Sequence, residues 1–298
     1  MKTFTYTLTN QTINSLINFA TFKEEKNILV QIFCGGKKNI LENILNIITK
    51  ELPTAICIGS STDGEIDNGE ITTLTTVIAI SVFEKTNLET SYVEGKDSFK
   101  NGATLASKLC NEDTKVLITF TDGAKTNGED FLKGISSVNN KVVVSGGMAG
   151  DNAHFTQTFI SSGNKILTKG AVAVALNSKD LKVCNAYNFN WSPIGIDHVI
   201  EEVVGNRVYK ISGLTPLEFY RKYLGEYVAS SLPATGIEFP LIVQENGIPI
   251  ARAVIAKHKD GSLSFAGNLG LIKKNGVWII LFSYSSLSNH QQSLTSNF

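Results

Sequence analysis

The chain has 298 residues, 42% hydrophobic and 18% charged, with 27 basic and 27 acidic side chains and a formal net charge of zero. That composition suits one large or two ordinary globular domains with sizeable cores. It offers no basic surplus to attract a polyanion and no run of about 20 apolar residues to span a bilayer, which sets nucleic-acid and membrane roles aside.

Met1 to Asn10 alternates apolar and polar residues, the pattern of a first strand, and lacks the continuous apolar region of a secretory signal, so a cytoplasmic location is expected. Asn10 to Phe22 places Ile13, Leu16, Ile17 and Ala20 at helical spacing. Ile28 to Phe33 reads as a buried strand ending at Gly35-Gly36, and Asn39 to Leu52 as a second helix stopped by Pro53. Ala55 to Ile58 is the next strand, followed by a turn over Ser60 to Gly64, a hairpin link over Glu65 to Gly69, and a Thr-, Val- and Ile-rich strand over Thr72 to Phe83.

The same order then recurs. Ser98 to Cys110 is a helix, Lys115 to Thr121 a strand, Glu129 to Val138 a helix and Val142 to Val144 a strand, with Phe159 to Ser162 and Gly170 to Leu176 behind them. Ile28 to Gly35 matches Val116 to Gly123 at an offset of 88 residues, and Gly59 to Gly64 matches Ser145 to Gly150 at 86. Strand, helix, strand in each half implies a right-handed parallel crossover. Residues 1–178 are therefore expected to form one α/β domain of two similar strand-helix-strand halves with mixed sheets.

A smaller α+β domain is expected over 179–282. Lys182 to Asn190 alternates, Trp191 to Gly195 is a break, and His198 to Val204 with Arg207 to Ile211 forms a hairpin. Thr215-Pro216 starts a helix running to Tyr223 or Leu224. Phe239 to Gln244, Pro249 to Lys257 and Leu263 to Ala266 are strands, the last two joined by a turn at Lys259 to Ser262. The polar residues 283–298 read as a disordered tail. The four cysteines, Cys34, Cys57, Cys110 and Cys184, are scattered and read as buried reduced thiols.

Two glycine-rich strand endings carry the candidate chemistry. Gly59-Ser60-Ser61-Thr62-Asp63-Gly64-Glu65 offers hydroxyls and carboxylates, whereas Ser145-Gly146-Gly147-Met148-Ala149-Gly150-Asp151-Asn152 offers backbone amides. Ligands of parallel α/β sheets bind beyond the carboxyl ends of strands, and glycines let amides approach an anionic group. Both stretches also fit plain polar turns. Asp122, in Thr121-Asp122-Gly123, joins the same edge if the strands are neighbours, and Arg252 is an isolated guanidinium that could clamp a carboxylate. Ser60 and Ser61 lack a nucleophile elbow, the four histidines do not cluster, and no His or Cys pair has metal-ligand spacing, so neither a metal nor a cofactor is expected.

Three stretches resemble the FIST sensory family: Ile58-Gly-Ser-Ser-Thr-Asp-Gly-Glu-Ile66, with Ser60 where the family commonly has Cys; Val144-Ser-Gly-Gly-Met-Ala-Gly-Asp-Asn152; and, after residue 190, Trp191-Ser-Pro-Ile-Gly195, Val208 to Gly213 and Pro216 to Tyr220. The resemblance implies an N-terminal FIST domain and a truncated C-terminal one. It also implies a cytoplasmic, non-catalytic module of signal transduction that binds a small polar metabolite such as an amino acid, with an output domain or partner outside this chain. The expected ligand set is Ser60, Ser61, Thr62, Asp63, Glu65, Asp122, Gly146, Gly147, Asp151, Asn152 and Arg252. A hydrolase using Ser60 or Ser61 and a ligand-free interaction scaffold are the alternatives.

Overall fold

The computed structural model describes residues 1–9, 13–152, 154, 156–184, 196–245, 248–269 and 277–279, and the chain divides into two compact units, Met1–Asn185 and Ala186–Phe298. In the first unit the strands are β1 (Lys2–Leu8), β2 (Asn27–Cys34), β3 (Ile56–Ser61), β4 (Glu65–Asp67), β5 (Glu70–Thr72), β6 (Thr76–Phe83), β7 (Asn87–Val93), β8 (Thr114–Thr121), β9 (Val143–Met148), β10 (Ile160–Ser162), β11 (Lys165–Leu167) and β12 (Ala171–Asn177). The helices are α1 (Ile13–Leu16), α2 (Lys38–Glu51), α3 (Ser98–Leu109) and α4 (Gly128–Val138).

These elements stack in four layers. Sheet one runs β1-β6-β2-β3-β10-β11 and sheet two runs β7-β12-β8-β9. Alternation along each strand sends one set of side chains to the helices and the other to the opposing sheet. Ile28, Val30, Ile32 and Cys34 of β2 pack with Leu41, Ile44 and Ile48 of α2. Leu29 and Phe33 of the same strand pack with Val116, Phe120, Val172 and Val174 between the sheets. On the far side of sheet two, Leu117 and the alanines of β12 meet Leu105 of α3 and Phe131 and Ile135 of α4.

The duplication is exact in register. Leu29 pairs with Ile56 and Cys34 with Ser61, while Val116 pairs with Val143 and Thr121 with Met148, so both parallel strands repeat at an offset of 87. The apparent offsets of 86 and 88 therefore straddle one value. Cys34 opposes Thr76 and Thr121 opposes Ala171, which places β12 at 95 from β6. The hairpins repeat at 95 as well, since Glu65 pairs with Thr72 and Ile160 with Leu167. The eight residues that separate 87 from 95 thus lie between β9 and β10. They carry the second hairpin across to sheet one, where Ile160 pairs with Ser60 and Ser162 with Ile58. The first hairpin, four residues beyond Ser61, pairs only with itself.

Several elements differ from expectation. β3 runs on to Ser61 and β9 to Met148, past their expected ends at Ile58 and Val144 and through residues expected as turns, and β7 and β11 are strands that were not expected. Among the described residues of the first helical stretch, Ile13–Leu16 is α-helical; a 3₁₀ turn over Phe19–Phe22 follows, and its three-residue period turns both phenylalanines into the core. The segment after β5 breaks at Thr73–Thr75, because the Glu65 carboxylate accepts hydrogen bonds from the Thr75 amide (3.1 Å) and hydroxyl (2.8 Å).

The second unit holds β13 (Asp197–His198), β14 (Ile200–Val204), β15 (Arg207–Ile211), α5 (Pro216–Ser230), β16 (Leu241–Glu245), β17 (Ile248–Arg252), β18 (Val254–Lys257), β19 (Leu263–Phe265) and β20 (Val277–Ile279). Its sheets run β13-β20-β16-β17 and β14-β15-β19-β18. Phe219, Tyr220, Leu241, Leu263 and Phe265 share its core, and the buried Tyr220 hydroxyl donates to the Phe239 carbonyl at 2.7 Å. Thr215 and Glu218 form a reciprocal capping box ahead of Pro216. The expected helix end coincides with a non-helical Gly225 (φ 84°), beyond which a further stretch continues to Ser230. The stretch expected as one strand over Pro249 to Lys257 divides at Ala253 into β17 and β18, which join different sheets. Residues 185–195 and 283–298, which carried the expected break and tail, lie outside the described residues.

Cys34 and Cys57 are buried, Cys110 is half-buried and Cys184 is exposed, against the expectation that all four are internal. Burial pushes the Cys57 thiol from an ordinary value of 9.0 up to about 12. A thiol whose pKa rises on folding contributes stability that is complete below its unfolded value and is lost as pH climbs towards the folded value. The expected outcome is that a thiol-labelling time course modifies Cys184 first and Cys57 only on unfolding, and that stability attributable to Cys57 declines between pH 9 and 12.

Helices α3 and α4 touch through paired glycines: a Cβ on Gly102 would lie 2.1 Å from the Phe131 carbonyl oxygen, and one on Gly134 would lie 2.1 Å from that of Phe99. Gly102→Ala and Gly134→Ala should each cost about 1–3 kcal/mol in urea unfolding. By contrast, Gly147→Ala, whose Cβ meets nothing within 4 Å, should stay within about 0.5 kcal/mol.

Candidate functional site

The glycine-rich endings of β3 and β9 are hydrogen-bonded to each other. The Gly150 amide donates to the Ser61 carbonyl at 2.9 Å, and the Asp151 amide donates to the Asp63 carboxylate at 2.8 Å. Gly150 must be glycine here, since a Cβ would sit 2.5 Å from Asp63 Cγ. The crossing segment is fixed in turn. Asp151 accepts from the amides of Thr156 (2.7 Å) and Gln157 (3.1 Å), and the Asn152 side-chain amide donates to the Gly35 carbonyl at 3.0 Å. Asn152 takes a left-handed conformation (φ 56°), which asparagine tolerates better than most residues.

Two cavities flank this junction. The first, about 430 Å³, lies between the sheets; Gln31, Phe33 and Ser60 line one side and Phe120, Gly147 and Met148 the other. Phe33 and Phe120 are equivalent under the repeat and meet edge to face, with centroids 5.6 Å apart and planes at 69°. No charged side chain lines it. The second cavity, about 570 Å³, lies at the outer face of the turns. Lys37, Ser61, Thr62, Asp151, Asn152 and His154 line it, together with the Gly35-Gly36 lead into α2. That helix begins with no side-chain cap and no acidic residue in its first turn, so its amide dipoles favour an anionic group.

The expected site residues divide into three groups. Ser60, Ser61, Thr62, Gly146 and Gly147 line the first cavity, and Ser61, Thr62, Asp151 and Asn152 line the second. Asp63, Glu65 and Asp122 line neither cavity. Exposed Asp63 bonds the opposite turn. Buried Glu65 accepts from Thr62 and Thr75. Asp122 is fully buried and accepts from the amides of Lys125 (2.6 Å) and Gly170 (2.8 Å) and from the Thr126 hydroxyl (2.7 Å). Arg252 belongs to the second unit, where its Nε donates to the Asn268 carbonyl at 3.2 Å.

The expected ligand set omits Lys37, His154, Gln31, Phe33, Phe120 and Met148, which line the cavities. The recurrence of phenylalanine at an offset of 87 was the available signal for the aromatic pair. Neither candidate nucleophile is set beside a base: the Ser60 hydroxyl donates to the Ser61 carbonyl at 2.9 Å, and Ser61 Oγ accepts from the Phe159 amide at 3.0 Å. Among the described residues no group of three His, Cys, Asp or Glu side chains could hold a metal ion, and no helix is long and apolar enough to cross a membrane.

Asp122→Ala would leave the buried Gly170 amide and Thr126 hydroxyl, and the Lys125 amide, without their acceptor. A loss of at least about 1–3 kcal/mol is expected in chemical denaturation, with any ligand affinity of the folded protein kept, because this carboxylate faces neither cavity.

Residues 28–214 match the family model of the FIST N domain. That match continues through Val208 to Gly213, which the resemblance had assigned to a second domain. No curated protein matches the chain.

Proposed function

The chain belongs to the FIST family of sensory and signal-transduction domains, and on that premise we propose that it is a non-catalytic sensor that binds a small polar, amino-acid-like metabolite in the 570 Å³ cavity. The observation that carries this reading is the meeting of the two turns: one cavity wall contains hydroxyls of the first half and Asp151 and Asn152 of the second. Lys37 and the uncapped start of α2 supply positive potential for a carboxylate. Asp151, Thr62 and main-chain carbonyls supply acceptors for an ammonium or hydroxyl. A ligand bridging both turns would favour one arrangement of the junction over others, and that shift would be the signal read by a partner.

Thermal unfolding of the full chain against a panel of amino acids and related metabolites tests this. A ligand at 100 times its Kd adds about 2.7 kcal/mol of stability. Lys37→Ala, at an exposed position, is expected to remove the ligand-induced shift while leaving the free protein's Tm unchanged. A panel with no shift, or a shift that survives Lys37→Ala and Asn152→Ala, would overturn the assignment.

A further inference from the structure

The two halves differ at one edge. In sheet one, the outer side of β3 is covered by β10: the Ser61 amide donates to the Phe159 carbonyl and the Gly163 amide to the Cys57 carbonyl, both at 2.8 Å. Ile160, opposite Ser60, is wholly buried in the layer between the sheets. In sheet two, the equivalent strand β9 pairs only with β8 among the described residues, and Ser145, Gly146, Gly147 and Met148 are exposed. Because the Ala149 amide donates inward to the Thr121 carbonyl, alternation points the amides and carbonyls of Val144, Gly146 and Met148 outward. These three positions repeat Cys57, Gly59 and Ser61, the side of β3 that receives β10.

The first hairpin does not fill this edge. It lacks the eight crossing residues, and its patterning is inverted: where the second hairpin turns Ile160 and Leu167 inward, the first carries Glu65 and Thr72, and its isoleucines, Ile66 and Ile71, are exposed. The 430 Å³ cavity lies beside Gly147, the equivalent of Ser60. On β1, at the far edge of sheet one, the side turned away from the helices carries hydroxyls. Phe4 packs towards the helices against Phe22, which turns Thr3, Thr5 and Thr7 the other way, and Thr3 bonds the Ser81 hydroxyl at 2.9 Å.

From this geometry we infer that β9 is a docking edge for an extended segment of a partner protein. The segment adds antiparallel to Val144–Met148, places an apolar side chain opposite Gly147 in the cavity, and carries small or hydroxyl residues at its flanking positions. The partner's chemistry follows from the molecule's own second hairpin, which makes this addition on the equivalent edge, and from the uncharged cavity wall. Main-chain hydrogen bonds supply affinity in such strand additions, and the inserted side chain supplies specificity. The edge is separate from the metabolite cavity, and this inference does not rest on that assignment.

The test uses the full chain and a synthetic peptide copying Gln157 to Thr168 of the second hairpin. Backbone amide exchange followed by NMR should show Val144, Gly146 and Met148 exchanging freely in the protein alone and protected when the peptide is added, with residues 57–61 unchanged. Two protein variants should each weaken peptide binding at least tenfold. Gly147→Leu fills the cavity from a position with open space around it. Met148→Pro removes an outward donor at an edge, where proline is tolerated. A peptide with Ile160→Asp should also fail. Outward amides already protected in the protein at all concentrations, protection that grows with protein concentration alone and so marks a second copy, no binding at millimolar peptide, or equal binding by folded Gly147→Leu and Met148→Pro would each overturn the inference.

Discussion

The first unit depends on the apolar layer between its two sheets. Leu29, Ile58 and Phe83 of one sheet and Val116, Phe120, Val172, Val174 and Leu176 of the other are withdrawn from water only when the halves lie face to face. Neither sheet could leave that face bare, because burying each such side chain contributes about 1.5–3 kcal/mol. The layer also decides where cavities form. Towards the ends of β3 and β9 its large side chains give way to serine and glycine, and the sheets no longer fill the space between them.

Asymmetry gives the symmetric scaffold its chemistry. The two halves share the register of their parallel strand pairs, yet eight residues between β9 and β10 have no counterpart in the first half. That insert brings Asp151 and Asn152 onto the turn of the other half and closes one edge while leaving its equivalent open. Buried acids maintain the arrangement: Asp122 and Glu65 accept from internal amides and hydroxyls, while the half-buried Asp151 and Asn152, themselves bonded to the crossing segment and to Gly35, line the cavity.

Much of this was legible from residues. The duplication, both parallel crossovers, the first hairpin and most helices follow from periodicity and turn chemistry, which are local. What stayed hidden was long-range. Nothing near Ile160 states that it pairs with Ser60 rather than with its own half, and nothing near Asp122 separates a carboxylate aimed at a ligand from one bonded to Gly170. Lys37 is marked by no motif, and its importance comes from its place at the start of α2. The split of the Pro249 to Lys257 stretch at Ala253 was equally invisible, since both strands it yields have the same β-forming composition.

The crossing of β10 to sheet one carries a consequence for synthesis of the chain. Ile160 closes on Ser60, a hundred positions earlier, whereas β2 and β3 pair across fewer than thirty. At about 5–20 residues per second on the ribosome, β3 waits some 5–20 s for its cover. During that interval a nascent chain presents Cys57, Gly59 and Ser61 with outward amides and carbonyls unmet, on a strand whose flanks are strongly apolar. Such an edge is a template for pairing with neighbouring chains. Translation speed between residues 61 and 167 therefore sets how long that edge stays uncovered, and slow codons placed there would lengthen the exposure.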